Sequence, residues 1–382
     1  MRQSFSILGI FLGLGPFLIG GGESGSPANG SPANPPSSGT ILSLAGSPAG
    51  GKTPPVVAAA DSTAMQNGAS AEGQVAGEKD PLTRSARIAN RTKPHAPLRI
   101  LVVGAHPADV FDQSGGTMAH HIQRGDWVGC AVLTHGARVH DKVVADDMFH
   151  RKEIPESAEL KKTMVDRADV KSKEVIKACS ILGVKEEDVF FLGADDAVLL
   201  PNDAIIRKVA RLIRKLRPNV IITHYPRENG GVGSQHATTG QIVMHAIPLA
   251  AAVDPGDKTP PCQIAQVFYF GCGAASVRAN LWGADGGYTN DIFVDITDVA
   301  DKKTAALDAM QSQGYGGAYA RKRIETADGA FGSRVKVPYA EGFISAYSTT
   351  HYYLPVSEIT LEHAKDSNHE AIRRSSYRAR IP

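Results

Sequence analysis

The sequence predicts a three-layered α/β domain, a mostly parallel sheet with helices on both faces, and two observations carry that reading. From Leu98 onward short apolar runs alternate with amphipathic stretches, the pattern of strands linked by crossover helices. Several of the runs end in His or Asp, where open α/β sheets place their ligands, beyond the carboxyl ends of the strands. The expected strands are 99–105 (RILVVGA), 128–136 (VGCAVLTHG), 188–194 (DVFFLGA) and 219–225 (NVIITHY), with 264–271 and 292–297 completing the sheet. Between the third and fourth, Ile205, Ile206, Val209, Leu212, Ile213 and Leu216 recur at helical spacing. Asp203 is placed to cap that helix, Pro218 to stop it, and Arg207, Lys208, Arg211, Arg214 and Lys215 to form its wet face. After the last strand, Thr297 or Asp298 opens a helix through DKKTAALDAMQSQ.

The 382 residues leave room for two domains, but composition argues for one behind a long N-terminal stretch. Residues 7–19 (ILGIFLGLGPFLI) follow Arg2 and lead into GGGESGS, which predicts a signal peptide or N-terminal anchor over 1–22. Residues 23–97 are rich in Gly, Ser, Ala and Pro, too poor in large apolar side chains to offset the entropy of ordering, and read as a linker. The folded domain is expected over 98–360, with a basic, solvated tail over 361–382. Export would place the protein in a secreted, periplasmic or cell-surface setting.

Lys+Arg of 41 against Asp+Glu of 39 gives a net charge of +2, which points away from nucleic acid as a partner. Cys130, Cys179, Cys262 and Cys272 show no CxxC spacing, so a thiolate zinc site is not expected. Cys130 and Cys179 read as core residues, and Cys262 and Cys272 as a pair that export would allow.

The strand ends deliver His106 and Asp109, His135, Asp195 and Asp196, and His224, followed by Glu228 and His236. One histidine alone is more often an ordinary hydrogen-bonded residue. Several converging on one sheet edge make a borderline-soft donor set suited to Zn²⁺ or another divalent metal. A nucleotide cofactor is not expected, because no G-x-G-x-x-G follows the first strand. Gly115 and Gly116 read instead as permitting close backbone approach to the site.

RILVVGAHPADVFDQSGGTMAHHIQRGD resembles the opening of the PIG-L/LmbE-type zinc-dependent N-acetylglucosaminyl deacetylases, whose signature is His-Pro-Asp-Asp-Glu and, later, Gly-Gly-Thr. The likeness continues through KEVIKACSILGV, FFLGADD, RPNVIITHYP, SQHATTGQIVMHA, DAMQSQ and YAEGF, spanning about Leu98 to Leu354. It implies a Rossmann-like, LmbE-type sheet, one Zn²⁺ held by His106, Asp109 and His236, and removal of an acyl group from a small-molecule or glycan N-acyl substrate. Asp196 and Glu341 match acidic family positions, and with His224 they are the candidate substrate-binding residues. Ala108 stands where the family carries its general base, Val110 where it carries Glu, and Gly233 where many members carry a further histidine. Replacement bases are, in order, Asp112, Glu228 and His135. The competing reading of Asp112 is a cap of the helix entering at QSGGT, and that of His135 a partner of the next loop. Two functions compete: a metal-dependent N-deacetylase with a non-standard base, and a metal- or carbohydrate-binding relative that has lost turnover.

Overall fold

The computed structural model describes residues 96–227, 234–271 and 290–376. The expected signal segment, all of the linker before Ala96, Glu228, Gly233, Cys272 and the last six residues of the tail lie outside them. No helix among the described residues is long and apolar enough to cross a membrane.

Seven strands form one sheet in the order β3-β2-β1-β4-β5-β7-β6. They are β1 (Arg99–Gly104), β2 (Trp127–Thr134), β3 (Val189–Ala194), β4 (Val220–Thr223), β5 (Gln266–Phe270), β6 (Ile292–Asp295) and β7 (Ala340–Ser345). The first five pair in parallel, and β7 runs antiparallel to both β5 and β6. Successive strand residues point to opposite faces. Ile100, Val102, Cys130, Val132, Val220 and Ile222 therefore enter one core, and Leu101, Val103, Ala131, Leu133 and Ile221 the other.

The helices are α1 (Asp109–Asp112), α2 (Gly115–Gln123), α3 (Lys142–His150), α4 (Ser157–Leu182), α5 (Asp203–Leu216), α6 (Gln235–Ala251), α7 (Ala300–Asp308), α8 (Ala318–Thr326), α9 (Asp328–Val335), α10 (Glu358–His363) and α11 (Asn368–Ser375). Helices α5 and α6 close the second core, while residues of α2, α4 and α7 fill the first. Strand order reverses direction at β1 and β4, so the loops after these two strands flank the switch point where open α/β sheets bind ligands.

Several local expectations change. Asn202, not Asp203, caps α5 by accepting the Ile205 N–H at 3.1 Å. Arg214 is no surface residue: it is buried and donates to the Ala250, Leu249 and Thr259 carbonyls. Strand β7 was not expected at all, and it lies between the two strands that seemed to complete the sheet. The expected tail contains α11, begun by a capping box from Ser367 and Glu370. Cys262 is a free, buried thiol, as are Cys130 and Cys179.

Glu341 needs the clearest correction. It is buried on β7, where its carboxylate accepts the Gly116 and Thr117 N–H groups at 2.9 and 2.7 Å and pairs with Lys303 at 2.8 Å. It thus caps the positive end of α2 from across the sheet and is not a substrate ligand. Gly116 serves the same junction: a Cβ there would meet Ile296 Cγ2 at 2.5 Å. The glycines after β1 pack a helix instead of opening the site.

Removing one member of a buried, hydrogen-bonded pair leaves an unpaired charge and costs about 3–5 kcal/mol. Glu341→Ala is expected to destabilise the folded domain by that order in a denaturant titration. A change within experimental error would return Glu341 to the list of solvent-facing candidates.

Candidate metal centre

The chain leaves β1 through His106-Pro107 and enters α1 at Asp109. The short turn folds Asp109 back, so that its Oδ2 accepts the His106 backbone N–H at 2.7 Å. His236, in the first turn of α6, arrives from the far side of the switch point. His106 Nδ1 lies 3.2 Å from Asp109 Oδ2 and 3.2 Å from His236 Nε2, and His236 Nε2 lies 3.5 Å from the same carboxylate oxygen. Two imidazole nitrogens and one carboxylate oxygen face one another across a gap small enough for one ion. That donor set fits zinc, and three protein ligands would leave a position open.

Burial alone would push the Asp109 carboxyl up. The neighbouring His236 and His106 rings, with His224 close by, hold it well below the usual carboxylate range. His224 is buried at the end of β4 with Nε2 3.1 Å from Asp109 Oδ2. It therefore backs the carboxylate from behind and is not exposed to a substrate.

The orientation of His106 is set by a chain of contacts that local sequence reading did not find. Its Nε2 lies 2.5 Å from Gln235 Oε1, and Gln235 Nε2 donates to the Asp196 carbonyl at 2.7 Å. The amide is therefore turned with its oxygen toward His106, which makes Nε2 the protonated nitrogen. Nδ1 is left with its lone pair directed at the donor set, as ligation requires.

Asp196, expected as a substrate ligand, is completely buried. Its carboxylate accepts backbone N–H groups from Arg138, Val139 and His140 at 3.0, 2.7 and 3.2 Å, and lies 3.3 Å from His140 Nδ1. Burial opposes ionisation, but these bonds hold its pKa far below the ordinary value. Asp196 therefore builds the loop after β2. Gly136 starts that loop at φ +67, where a Cβ would meet Pro107 Cγ at 2.6 Å, and Asp141 ends it by capping α3. The second His/Asp group, His135 with Asp195 and Asp196, makes a poor ion site because the carboxylates are already engaged.

The replacement bases fare differently. Asp112 is buried in a two-pronged pair with the Arg323 guanidinium, its Nε at 3.0 and 3.1 Å from the two oxygens. It does not cap α2, and both of its oxygens are engaged by Arg323. His135 Nδ1 accepts the Ala137 N–H at 3.1 Å, so its protonated nitrogen is Nε2 and its acceptor is spent. Glu228 lies outside the described residues. Ala108 is fully buried among apolar side chains. His140, which the sequence reading passed over, stacks on His106 with ring centroids 3.7 Å apart. Burial, partly offset by Asp196, lowers its pKa.

Partners that orient a ligating histidine are worth about 10–100-fold in metal affinity. Gln235→Leu is expected to weaken zinc binding by that factor in a competition titration with a chelating dye, with the fold intact by circular dichroism. Unchanged affinity would remove Gln235 from the site.

A family described as PIG-L, GlcNAc-PI de-N-acetylase, matches residues 101–247. A Bacillus cereus protein named as a probable N-acetyl-alpha-D-glucosaminyl L-malate deacetylase 2 is 28% identical over 218 residues, covering 56% of this chain and 83% of the relative. A Pseudomonas putida protein named 4-oxalmesaconate hydratase is also 28% identical, over 238 residues, covering 61% of this chain and 79% of its own. Among solved structures, the N,N'-diacetylchitobiose deacetylase from Pyrococcus horikoshii shares the fold with a TM-score of 0.51 at 17% identity, over 65% of this chain and 83% of that one. The strand order, the switch-point donor set and these matches agree: residues 101–247 resemble the PIG-L/LmbE-type deacetylases in sequence and share their fold.

Proposed function

We propose that this protein is a zinc-dependent N-deacetylase that removes an acetyl or similar acyl group from an amino sugar. The observation that carries the reading is the convergence of His106 Nδ1, Asp109 Oδ2 and His236 Nε2 with the His106 tautomer already set for ligation. Relatives named as amino-sugar deacetylases support it. These three residues would hold the ion, which when bound supplies a Lewis acid for the amide carbonyl and acidifies water.

The remaining work belongs to the chain. Asp109 gives the site its fixed negative charge with His224 packed behind it, and Gln235 keeps His106 from turning. The loop from Gly136 to Asp141 is pinned by Asp196 so that His140 stacks on His106.

The non-catalytic alternative rests on Ala108. Its methyl group points into the apolar core, so the family's usual proton acceptor has no counterpart at this position. The named hydratase relative adds a third outcome, addition of water to an unsaturated acid.

Purified full-length protein, expressed with zinc, is expected to carry about one zinc per chain and to release acetate from a short N-acetylated amino sugar. His106→Ala, Asp109→Ala and His236→Ala should each lose the metal and the activity together. Metal without turnover on a broad panel of N-acyl sugars would favour the binding protein, and hydration of an unsaturated diacid without acetate release would favour the hydratase.

A further inference from the structure

Hydrolysis of an amide needs a group that takes a proton from water and returns it to the leaving amine. Such a group needs an open lone pair next to the metal ligands and a partner that stabilises it once protonated. Asp112 fails because both its oxygens face Arg323, and His135 fails because its acceptor nitrogen is filled by the Ala137 N–H.

His140 meets both conditions. Its ring lies flat against His106, 3.7 Å between centroids, so it borders the donor set directly. Its Nδ1 faces Asp196 Oδ2 at 3.3 Å, and the same carboxylate holds the His140 backbone N–H at 3.2 Å. Since an ionised carboxylate only accepts, Nδ1 carries the hydrogen and Nε2 keeps its lone pair. The His140 side chain is about a quarter exposed, so water reaches it. Three consecutive N–H groups on Asp196, those of Arg138, Val139 and His140, prevent the loop from carrying the ring away.

We infer that His140 is the catalytic proton carrier of this enzyme and that Asp196 is its positioning residue, a histidine–aspartate pair standing in for the carboxylate absent at Ala108. The inference rests on the deacetylase reading above and deepens it. In the reaction, water gives one proton to His140 Nε2 as its oxygen bonds to the acyl carbon. The C–N bond then breaks, and the Nε2 proton passes to the departing nitrogen. The products are the carboxylic acid and the free amine, and His140 ends neutral, as it began. Asp196 remains ionised throughout and holds the imidazolium while it exists, which a neutral amide at that position would do poorly.

The test has two readouts on the full-length protein. In metal-free protein labelled with ¹⁵N-histidine, the ring of His140 should show the Nδ1-protonated tautomer, and Asp196→Asn should shift that resonance and mix the tautomers. In zinc-loaded protein, His140→Gln should keep about one zinc per chain while acetate release falls about 10²–10⁴-fold, and added imidazole should recover part of the rate in His140→Gly. Asp196→Asn should lower kcat more than it raises KM. A His140→Gln enzyme near the wild-type rate, or a loss found instead in His135→Gln or Glu228→Gln with His140→Gln unaffected, would overturn the proposal. Wild-type protein that holds zinc but turns over no N-acyl substrate would remove the deacetylase reading itself, and the proposal with it. The tautomer measurement would then still report whether the pair exists.

Discussion

The Asp196 carboxylate is the interaction on which the site depends. Taking an ionised carboxylate out of water costs several kcal/mol unless hydrogen bonds replace the lost solvation. Here the replacement comes from consecutive backbone N–H groups of the loop after β2, so satisfying the charge and shaping the loop are one event. The backbone carbonyl of the same residue holds Gln235, and Gln235 holds His106. One buried residue at the end of β3 therefore sets the tautomer of a metal ligand and the position of the neighbouring histidine, although His106 and His140 come from different loops.

A second set of buried charges supports the other side of α1. Lys303 lies between Asp328 and Glu341, at 2.9 and 2.8 Å, and Arg323 grips Asp112. Both cations sit on helices of the C-terminal half, and both anchor segments that follow β1. This explains why two acidic residues that looked available for chemistry, Asp112 and Glu341, are not: among the described residues Asp112 pairs with Arg323 and Glu341 shares Lys303 with Asp328, and each is held inside the protein. The acidic positions that do reach the donor set are those, like Asp109, whose partners are histidines.

Much of the fold was legible because its physics is periodic. The parallel strands β1, β2, β4 and β5 are largely apolar runs buried on two faces, and α5 shows its apolar stripe at three- and four-residue spacing. The cluster of His106, Asp109 and His236 was legible too, since these residues belong to motifs with fixed spacing and do converge. Strand β7 was not, because AEGFIS carries a glycine and a buried glutamate in the middle of a strand. Nor were Gln235 and His140. Nothing within THGARVH tells which of its two histidines stacks on His106; both Nδ1 atoms lie 3.3 Å from the distant Asp196 carboxylate, and the path of the loop sets His140 against the ring. Side-chain roles fixed by long-range hydrogen bonds leave little trace in local pattern, whereas roles fixed by strand ends leave a strong one.

The most direct measurement of this account is a crystal structure of the zinc-loaded protein with a hydrolysis-resistant N-acyl sugar analogue bound. It should show the ion on His106 Nδ1, Asp109 and His236 Nε2, with His140 Nδ1 still on Asp196 and His140 Nε2 within about 2.6–3.2 Å of a water beside the acyl carbon. A His140 ring turned away to solvent, with the Glu228 carboxylate or another group in its place beside that water, would contradict it.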